Sequence, residues 1–168
     1  MSIHFILGGA RSGKSAYAEQ LAKTQTKPVV YIATAQADDV EMQNRIAHHQ
    51  AQRPNSWRTL EVSEHLDQAL NTFNAEHCVI IDCLTLWMMN CFAPHPQVNS
   101  QAIEGFVESL AQFKGDLLLV SNEISMGVVP MGALSRDYVD SLGRLHQQVA
   151  ARADRVTLMV AGLPMTVK

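Results

Sequence analysis

Charge is scarce in this chain and neither sign dominates: Asp, Glu, Lys and Arg make up 17% of residues and the net charge is −3. A broad basic field that would hold a nucleic-acid backbone is therefore missing, and any bound phosphate has to be held by a local site. Cysteine is equally scarce. Cys78, Cys83 and Cys91 are odd in number and sit in an apolar stretch. They lack the short paired spacing of a zinc or redox motif, so they read as buried thiols of a reducing compartment. Long apolar runs are also missing. The richest, from Cys78 to Phe92, contains Asp82 and Asn90 and is too short and too polar to span a bilayer. Ser2 leads directly into apolar residues and a glycine loop, without the basic and apolar regions of a signal peptide, so the expectation is a cytoplasmic location.

What is present is the composition of a folded globule. Hydrophobic residues reach 47%, and no low-complexity tract, repeat or interdomain linker interrupts the 168 residues. The length suits one domain spanning 1–168, able to bury its own core. Short apolar runs rich in β-branched residues recur at His4 to Leu7, Val29 to Ala33, Cys78 to Ile81, Leu117 to Val120 and Val156 to Val160. Between them, Gly13 to Lys23, Asp38 to Gln52, His65 to Phe73, Gln101 to Phe113 and Ser135 to Ala153 read as helices. Ala93 to Ser100, with Pro94 and Pro96, reads as a loop, and Val128 to Gly132 as a second break. The runs lack polar alternation, which predicts an α/β domain with a mainly parallel sheet and helices on both faces.

The residues Gly8-Gly9-Ala10-Arg11-Ser12-Gly13-Lys14-Ser15 match the phosphate-loop pattern G-x-x-x-x-G-K-[ST], directly after a strand and directly before a helix. Glycines let the backbone curl so that successive N–H groups face phosphate oxygens, and the helix beginning near Gly13 aims its positive end at them. Lys14 is placed to neutralise the outer phosphates, and Ser15 to give a hydroxyl to Mg²⁺. A carboxylate near the metal is supplied by Asp82, which ends the run Val79-Ile80-Ile81-Asp82 as in a Walker B element. Ligands of open α/β sheets sit beyond the carboxyl ends of the strands, so Asp82 and the Gly8 loop share an edge. The bland alternative makes Asp82 the N-cap of a helix starting near Leu84. Ser121-Asn122-Glu123 reaches the same edge, as contacts for metal, phosphate or acceptor or as caps and loop residues.

The helix from Asp38 to Gln52 opens on carboxylates and stops before Pro54. Arg45, His49 and Arg53 are four residues apart and share one face, while His48 is turned about a hundred degrees away. Two arginines beside His49 disfavour the imidazolium, which keeps the ring nucleophilic while the guanidinia hold phosphate oxygens. A solvated polar helix face is the competing reading of the same spacing. A metal site at His48 and His49 is disfavoured, because adjacent helical positions point apart.

Taken in order, the phosphate loop, Tyr31-Ile32-Ala33-Thr34-Ala35, Arg45-Ile46-Ala47-His48-His49, Arg53-Pro54, Trp57-Arg58-Thr59-Leu60-Glu61, Asp82-Cys83-Leu84-Thr85 and Ser121-Asn122-Glu123 resemble one family. It is the bifunctional adenosylcobinamide kinase / adenosylcobinamide-phosphate guanylyltransferase of cobalamin synthesis, and the likeness runs on to Ala161-Gly162-Leu163-Pro164 and Lys168. The resemblance implies phosphorylation of the cobinamide aminopropanol hydroxyl by ATP or GTP, then transfer of GMP from GTP to the new phosphate. It implies a histidine that carries GMP covalently, matched here by His49, with Lys14 acting on the phosphates. Nucleotide contacts fall on Gly8, Gly9, Ala10, Arg11, Ser12, Gly13, Lys14 and Ser15, on Ala33, Thr34 and Ala35, on Gln50, Ala51, Gln52 and Arg53, and on Glu61 and Asp82. Mg²⁺ falls on Ser15 and Asp82. The family fold is a RecA-like P-loop NTPase domain assembled as a homotrimer, with small-molecule substrates and no nucleic-acid partner or membrane span. Ser125 and His146 depart from the glycine and asparagine usual in the family.

Two rivals use the same residues differently. A P-loop kinase of another small alcohol accounts for Lys14, Ser15 and Asp82 but leaves the Arg45–His49–Arg53 face idle. A nucleotide-switched binding module lacks support, since the chain has neither an Asn-Lys-x-Asp guanine motif nor a Leu-Ser-Gly-Gly-Gln segment.

Overall fold

The computed structural model describes residues 1–36, 53–92 and 98–168. In chain order the elements are β1 (Ser2–Gly8), α1 (Lys14–Lys23), β2 (Val29–Ala33), β3 (Arg58–Glu61), α2 (Leu66–Leu70), β4 (Cys78–Asp82), α3 (Leu84–Phe92), α4 (Val98–Gln112), β5 (Asp116–Asn122), α5 (Ala133–Arg152), β6 (Arg155–Val160) and β7 (Leu163–Thr166). The seven strands form one sheet in the order β3-β2-β4-β5-β1-β6-β7. Every pairing is parallel except the β6–β7 hairpin.

The period of two along each strand divides the core between the faces of this sheet. Ile3, Phe5, Val30, Ile32, Val79, Ile81, Leu117 and Leu119 pack on one face against apolar residues of α2, α3, α4 and α5. Their neighbours Ile6, Val29, Tyr31, Cys78, Ile80, Leu118 and Val120 pack on the other, against Ala18 and Ala22 of α1. The expected fold, a mainly parallel sheet covered by helices on both faces, is what the chain adopts. Helix α5 shows the rule in one dimension: Leu142, Leu145, His146 and Val149 are its buried residues, spaced as one helical face. The three cysteines are free and buried, as read from the sequence.

All five expected strands are present within two residues of their boundaries. Strands β3 and β7 were not anticipated. β3 is a four-residue edge strand with three exposed positions, and β7 contains Pro164 and is exposed throughout. The loop expected to reach Ser100 ends earlier, because α4 begins at Val98. The break at Val128 to Gly132 lies in the irregular segment before α5. The helix expected from Asp38 to Gln52 lies outside the described residues.

Leu119 is fully buried in β5, with strands on both sides and helices above and below. Leu119→Ala is expected to cost about 2–5 kcal/mol of unfolding free energy, read as a lower denaturant midpoint at an unchanged slope.

Candidate active site

Each strand entering the site stops at the same edge of the sheet. Ala33 of β2 pairs with Glu61 of β3 on one side and Asp82 of β4 on the other, Asp82 pairs with Val120, and Gly8 pairs with Asn122 and Met159. Beyond that edge lies a cavity of about 480 Å³, within the range that encloses a nucleotide-sized ligand. One wall is the run from Ala10 to Ala16, and the other holds Tyr31, Ala33, Ala35, Arg53, Asp82, Cys83, Leu86 and Asn122.

The phosphate loop is braced on three sides. The Gly8 carbonyl accepts the Glu123 N–H at 2.9 Å, and the Ser12 carbonyl accepts the Gly162 N–H at 3.1 Å. A Cβ on Gly8 would lie 2.6 Å from both the Met159 carbonyl oxygen and Ser12 Oγ, so only glycine fits between β1 and β6. Gly13 caps α1 with φ +90, a conformation that L side chains rarely adopt, and no side chain caps the helix. The first-turn N–H groups of Lys14 and Ser15 have no carbonyl one turn back to bond, and no acidic side chain stands in that turn. They form an anion seat of the kind found at helix N-termini. Lys14 is 7% exposed, and its Nζ donates to the Gly9 carbonyl at 2.6 Å. Burial lowers its pKa while the nearby Asp82 carboxylate opposes that shift.

On the opposite wall the Tyr31 hydroxyl donates to Asp82 Oδ2 at 2.6 Å. The Arg53 guanidinium carbon lies 3.4 Å from the centre of the Tyr31 ring, a cation–π contact. The Arg53 side chain is 7% exposed, with Nε 4.0 Å from Glu19 Oε1. Nε and Nη1 of Arg53 have no hydrogen-bond partner among the described residues. Held by Tyr31 and Glu19, Arg53 lines the same cavity as Lys14 and the start of α1, where a guanidinium suits a phosphate oxygen.

The donors near Lys14 also suit Mg²⁺. Asp82 and Ser15 offer hard oxygens, and Mg²⁺ is typically bound by one or two protein oxygens together with substrate phosphates and water. Burial, and secondarily the Asp82 charge, push the neighbouring Cys83 thiol up to about 12. No cluster of three His, Cys, Asp or Glu able to hold a metal exists among the described residues.

The sequence-predicted residues divide accordingly. Ala10, Arg11, Ser12, Gly13, Lys14, Ser15, Ala33, Ala35, Arg53 and Asp82 line the cavity, while Gly8 and Gly9 shape the loop behind it. Thr34 is 1% exposed and its hydroxyl is used internally, donating to the Cys83 carbonyl at 2.7 Å and accepting the Cys83 N–H at 2.8 Å. Glu61 ends β3 and is exposed, two strands from Asp82 and not among the cavity-lining residues. His49, with Gln50, Ala51 and Gln52, lies outside the described residues, as do Arg45 and His48. Four lining residues carry no site role of their own in the sequence: Ala16, Tyr31, Cys83 and Leu86. The bracing by Gly162 was also unforeseen, although the adjacent positive-φ residues Ala161 and Gly162 are the signature of a tight hairpin turn.

A buried polar chain supports the edge from beneath. The Asn122 N–H donates to Thr85 Oγ1 at 2.7 Å, Thr85 Oγ1 meets Ser121 Oγ at 3.0 Å, and Ser121 Oγ meets His146 Nε2 at 2.8 Å. The second departure, Ser125, donates through both N–H and hydroxyl to Glu123 Oε1.

The family model for cobinamide kinase / cobinamide phosphate guanyltransferase matches residues 4–167. The chain belongs to that family. It is 52% identical, over 97% of its length and 95% of the relative's, to the bifunctional adenosylcobalamin biosynthesis protein CobP of Pseudomonas aeruginosa. It is 38% identical to the CobU protein of Escherichia coli K12, covering 97% and 98% of the two chains. Membership bears out the resemblance read from the sequence and makes the chain a bifunctional enzyme of cobalamin synthesis, a kinase and a guanylyltransferase. Among solved structures, a type III secretion ATPase aligns with TM-score 0.60 at 12% identity over 95% of this chain. The chain spans about half of that ATPase, 52%. The RadB recombinase aligns with TM-score 0.54 at 13% identity, over 94% of this chain and 73% of its own. Identities this low speak to the fold alone, and they bear out the RecA-like P-loop reading.

Burial of His146 beneath this family site has a measurable consequence. Burial pulls its pKa from 6.5 to about 4, against an opposing pull from Glu123. Between those values the unfolded chain binds a proton that the folded chain refuses, so stability is full above 6.5 and falls as pH drops towards 4. Wild type is expected to lose about 3 kcal/mol more than His146→Asn between pH 7 and pH 4, measured by denaturant unfolding at each pH.

Proposed function

We propose that this chain, acting as one domain over 1–168, phosphorylates the aminopropanol hydroxyl of adenosylcobinamide with ATP or GTP. It then moves GMP from GTP through His49 onto the new phosphate, giving adenosylcobinamide-GDP. The observation that carries the reading is the convergence of Lys14, Ser15, Asp82 and Arg53 on one cavity at the sheet edge.

In the kinase step the substrate hydroxyl oxygen attacks the γ-phosphorus, its proton passes to solvent, and the bond to the β–γ bridging oxygen breaks, so the nucleoside diphosphate leaves with the electron pair. The loop N–H groups and Lys14 hold the outer phosphate oxygens and stabilise the charge that develops on them. Mg²⁺, held by Ser15 and Asp82 when bound, supplies further neutralisation of that charge. In the transferase step an imidazole nitrogen of His49 attacks the α-phosphorus, the bond to the α–β bridging oxygen breaks, and pyrophosphate departs against Lys14. The cobinamide phosphate oxygen then attacks the same phosphorus, breaking the P–N bond and freeing the ring. Arg53, four residues beyond His49, is the guanidinium that holds the nucleotide phosphates during both displacements. Contacts from Gly8 to Ser15, Ala33 to Ala35, Gln50 to Arg53, Glu61 and Asp82 complete the nucleotide site.

The working form we propose is a homotrimer in the cytoplasm. The free buried thiols suit a reducing compartment, and no helix among the described residues is long and apolar enough to cross a membrane. Met126, Val128, Val129, Met131 and Leu134 are each at least 69% exposed along one segment, the kind of apolar patch that a second copy covers. Sedimentation should give three times the chain mass, and a monomer at micromolar concentration would refute the trimer.

GTP labelled at the α-phosphate should leave an acid-labile, alkali-stable label on the protein, absent from His49→Ala. Label that persists in that variant removes His49 from the mechanism. Lys14→Ala should lower both kinase turnover and labelling by roughly 10²-fold or more, and full kinase turnover in it would contradict a shared nucleotide site.

A further inference from the structure

Tyr31 is 2% exposed and sits on the sheet face that packs against α1. It is nonetheless a wall of the cavity, and two of its surfaces are engaged with site groups. Its hydroxyl takes Asp82 Oδ2 at 2.6 Å, the short distance of a hydrogen bond to a charged acceptor. Its ring face carries the Arg53 guanidinium at 3.4 Å. The pairing of β2 with β4 sets this up: Tyr31 pairs with Ile80, and the phenol reaches along the strand to the carboxylate two residues further on.

We infer that Tyr31 is a positioning residue for both reactions. Its hydroxyl fixes the Asp82 carboxylate with Oδ2 engaged and Oδ1 left for a cation, and its ring seats the Arg53 guanidinium at the cavity wall. The inference rests on the nucleotide and metal roles proposed above and adds the group that couples them. A carboxylate held by one donor keeps its other oxygen in a fixed direction, so a cation meets it without reorganisation. A guanidinium seated on a phenol ring, with its Nε 4.0 Å from Glu19 Oε1, is held in one place at the cavity wall, so a phosphate oxygen meets it without reorganisation. Because the two engagements use different parts of one side chain, substitutions separate them.

Tyr31→Phe removes the hydroxyl and keeps the ring. In the full chain, the Mg²⁺ concentration giving half-maximal GTP binding by calorimetry should rise about tenfold, a larger change than the one in GTP binding measured without metal. Tyr31→Leu should show the same Mg²⁺ shift and, in addition, about tenfold weaker metal-free GTP binding. If the leucine variant fails to fold, the phenylalanine variant still decides the hydroxyl's part, and Arg53→Lys should reproduce the metal-free weakening without the Mg²⁺ shift. An unchanged Mg²⁺ dependence in Tyr31→Phe, alongside a shifted one in Asp82→Asn, overturns the inference alone. An unchanged dependence in Asp82→Asn overturns the metal role of Asp82 and the inference with it.

Discussion

A polyphosphate held by main-chain N–H groups requires those groups to be left unpaired by the fold, yet fixed in place. Most of the geometry at the sheet edge follows from that requirement. Helix α1 starts on Gly13 at positive φ with no side-chain cap, which leaves its first N–H groups for an anion. The loop they belong to is held rigid by carbonyls instead: Gly8 to β5 through Glu123, and Ser12 to the β6–β7 turn through Gly162. Accepting bonds on its carbonyls and presenting its N–H groups outward, the loop is braced without being satisfied. This is why β1 needs β5 on one side and β6 on the other.

The same sheet order brings the acid to the loop. β4 is separated from β1 by one strand, so Asp82 stands two strand spacings, roughly 10 Å, from the Gly8 column, with Lys14 and Ser15 projecting into the gap. The intervening strand β5 ends in Asn122, whose N–H is held by Thr85. The Thr85–Ser121–His146 chain beneath it is buried, and His146 packs against Phe5 with ring centroids 5.4 Å apart. A histidine kept neutral by burial accepts or donates a single bond there without bringing a charge into the core. On the far wall, Tyr31 ties the acid to Arg53, the residue that begins the described chain after the histidine segment.

Much of this was readable beforehand, for physical reasons. The phosphate loop is legible because its chemistry is local: eight consecutive residues hold the glycines, the cation and the hydroxyl. The central strands are legible because burial on both faces forces continuous β-branched runs, as in Val79 to Ile81. Edge strands escape this logic, since Arg58 to Glu61 and Leu163 to Thr166 are half or fully exposed and carry no such run. Thr34 reads as a contact residue because it lies in the Tyr31 to Ala35 motif, yet its hydroxyl is consumed by Cys83. The stacking of Arg53 on Tyr31 joins residues 22 positions apart through the pairing of strands, and no spacing rule within the sequence brings them together. The family likeness was carried by ordered short motifs along the whole chain, and the full-length family match has the same extent.

Both proposed reactions need one nucleotide seat, the cavity between the phosphate loop and Asp82. A crystal structure of the full chain with a non-hydrolysable GTP analogue and Mg²⁺ tests this most directly. The β- and γ-phosphates should lie on the N–H groups of Ala10 to Ser15, with the ion between Ser15 and Asp82 and Arg53 on a phosphate oxygen. A triphosphate bound elsewhere, with Lys14 still on the Gly9 carbonyl and Arg53 untouched, would contradict it.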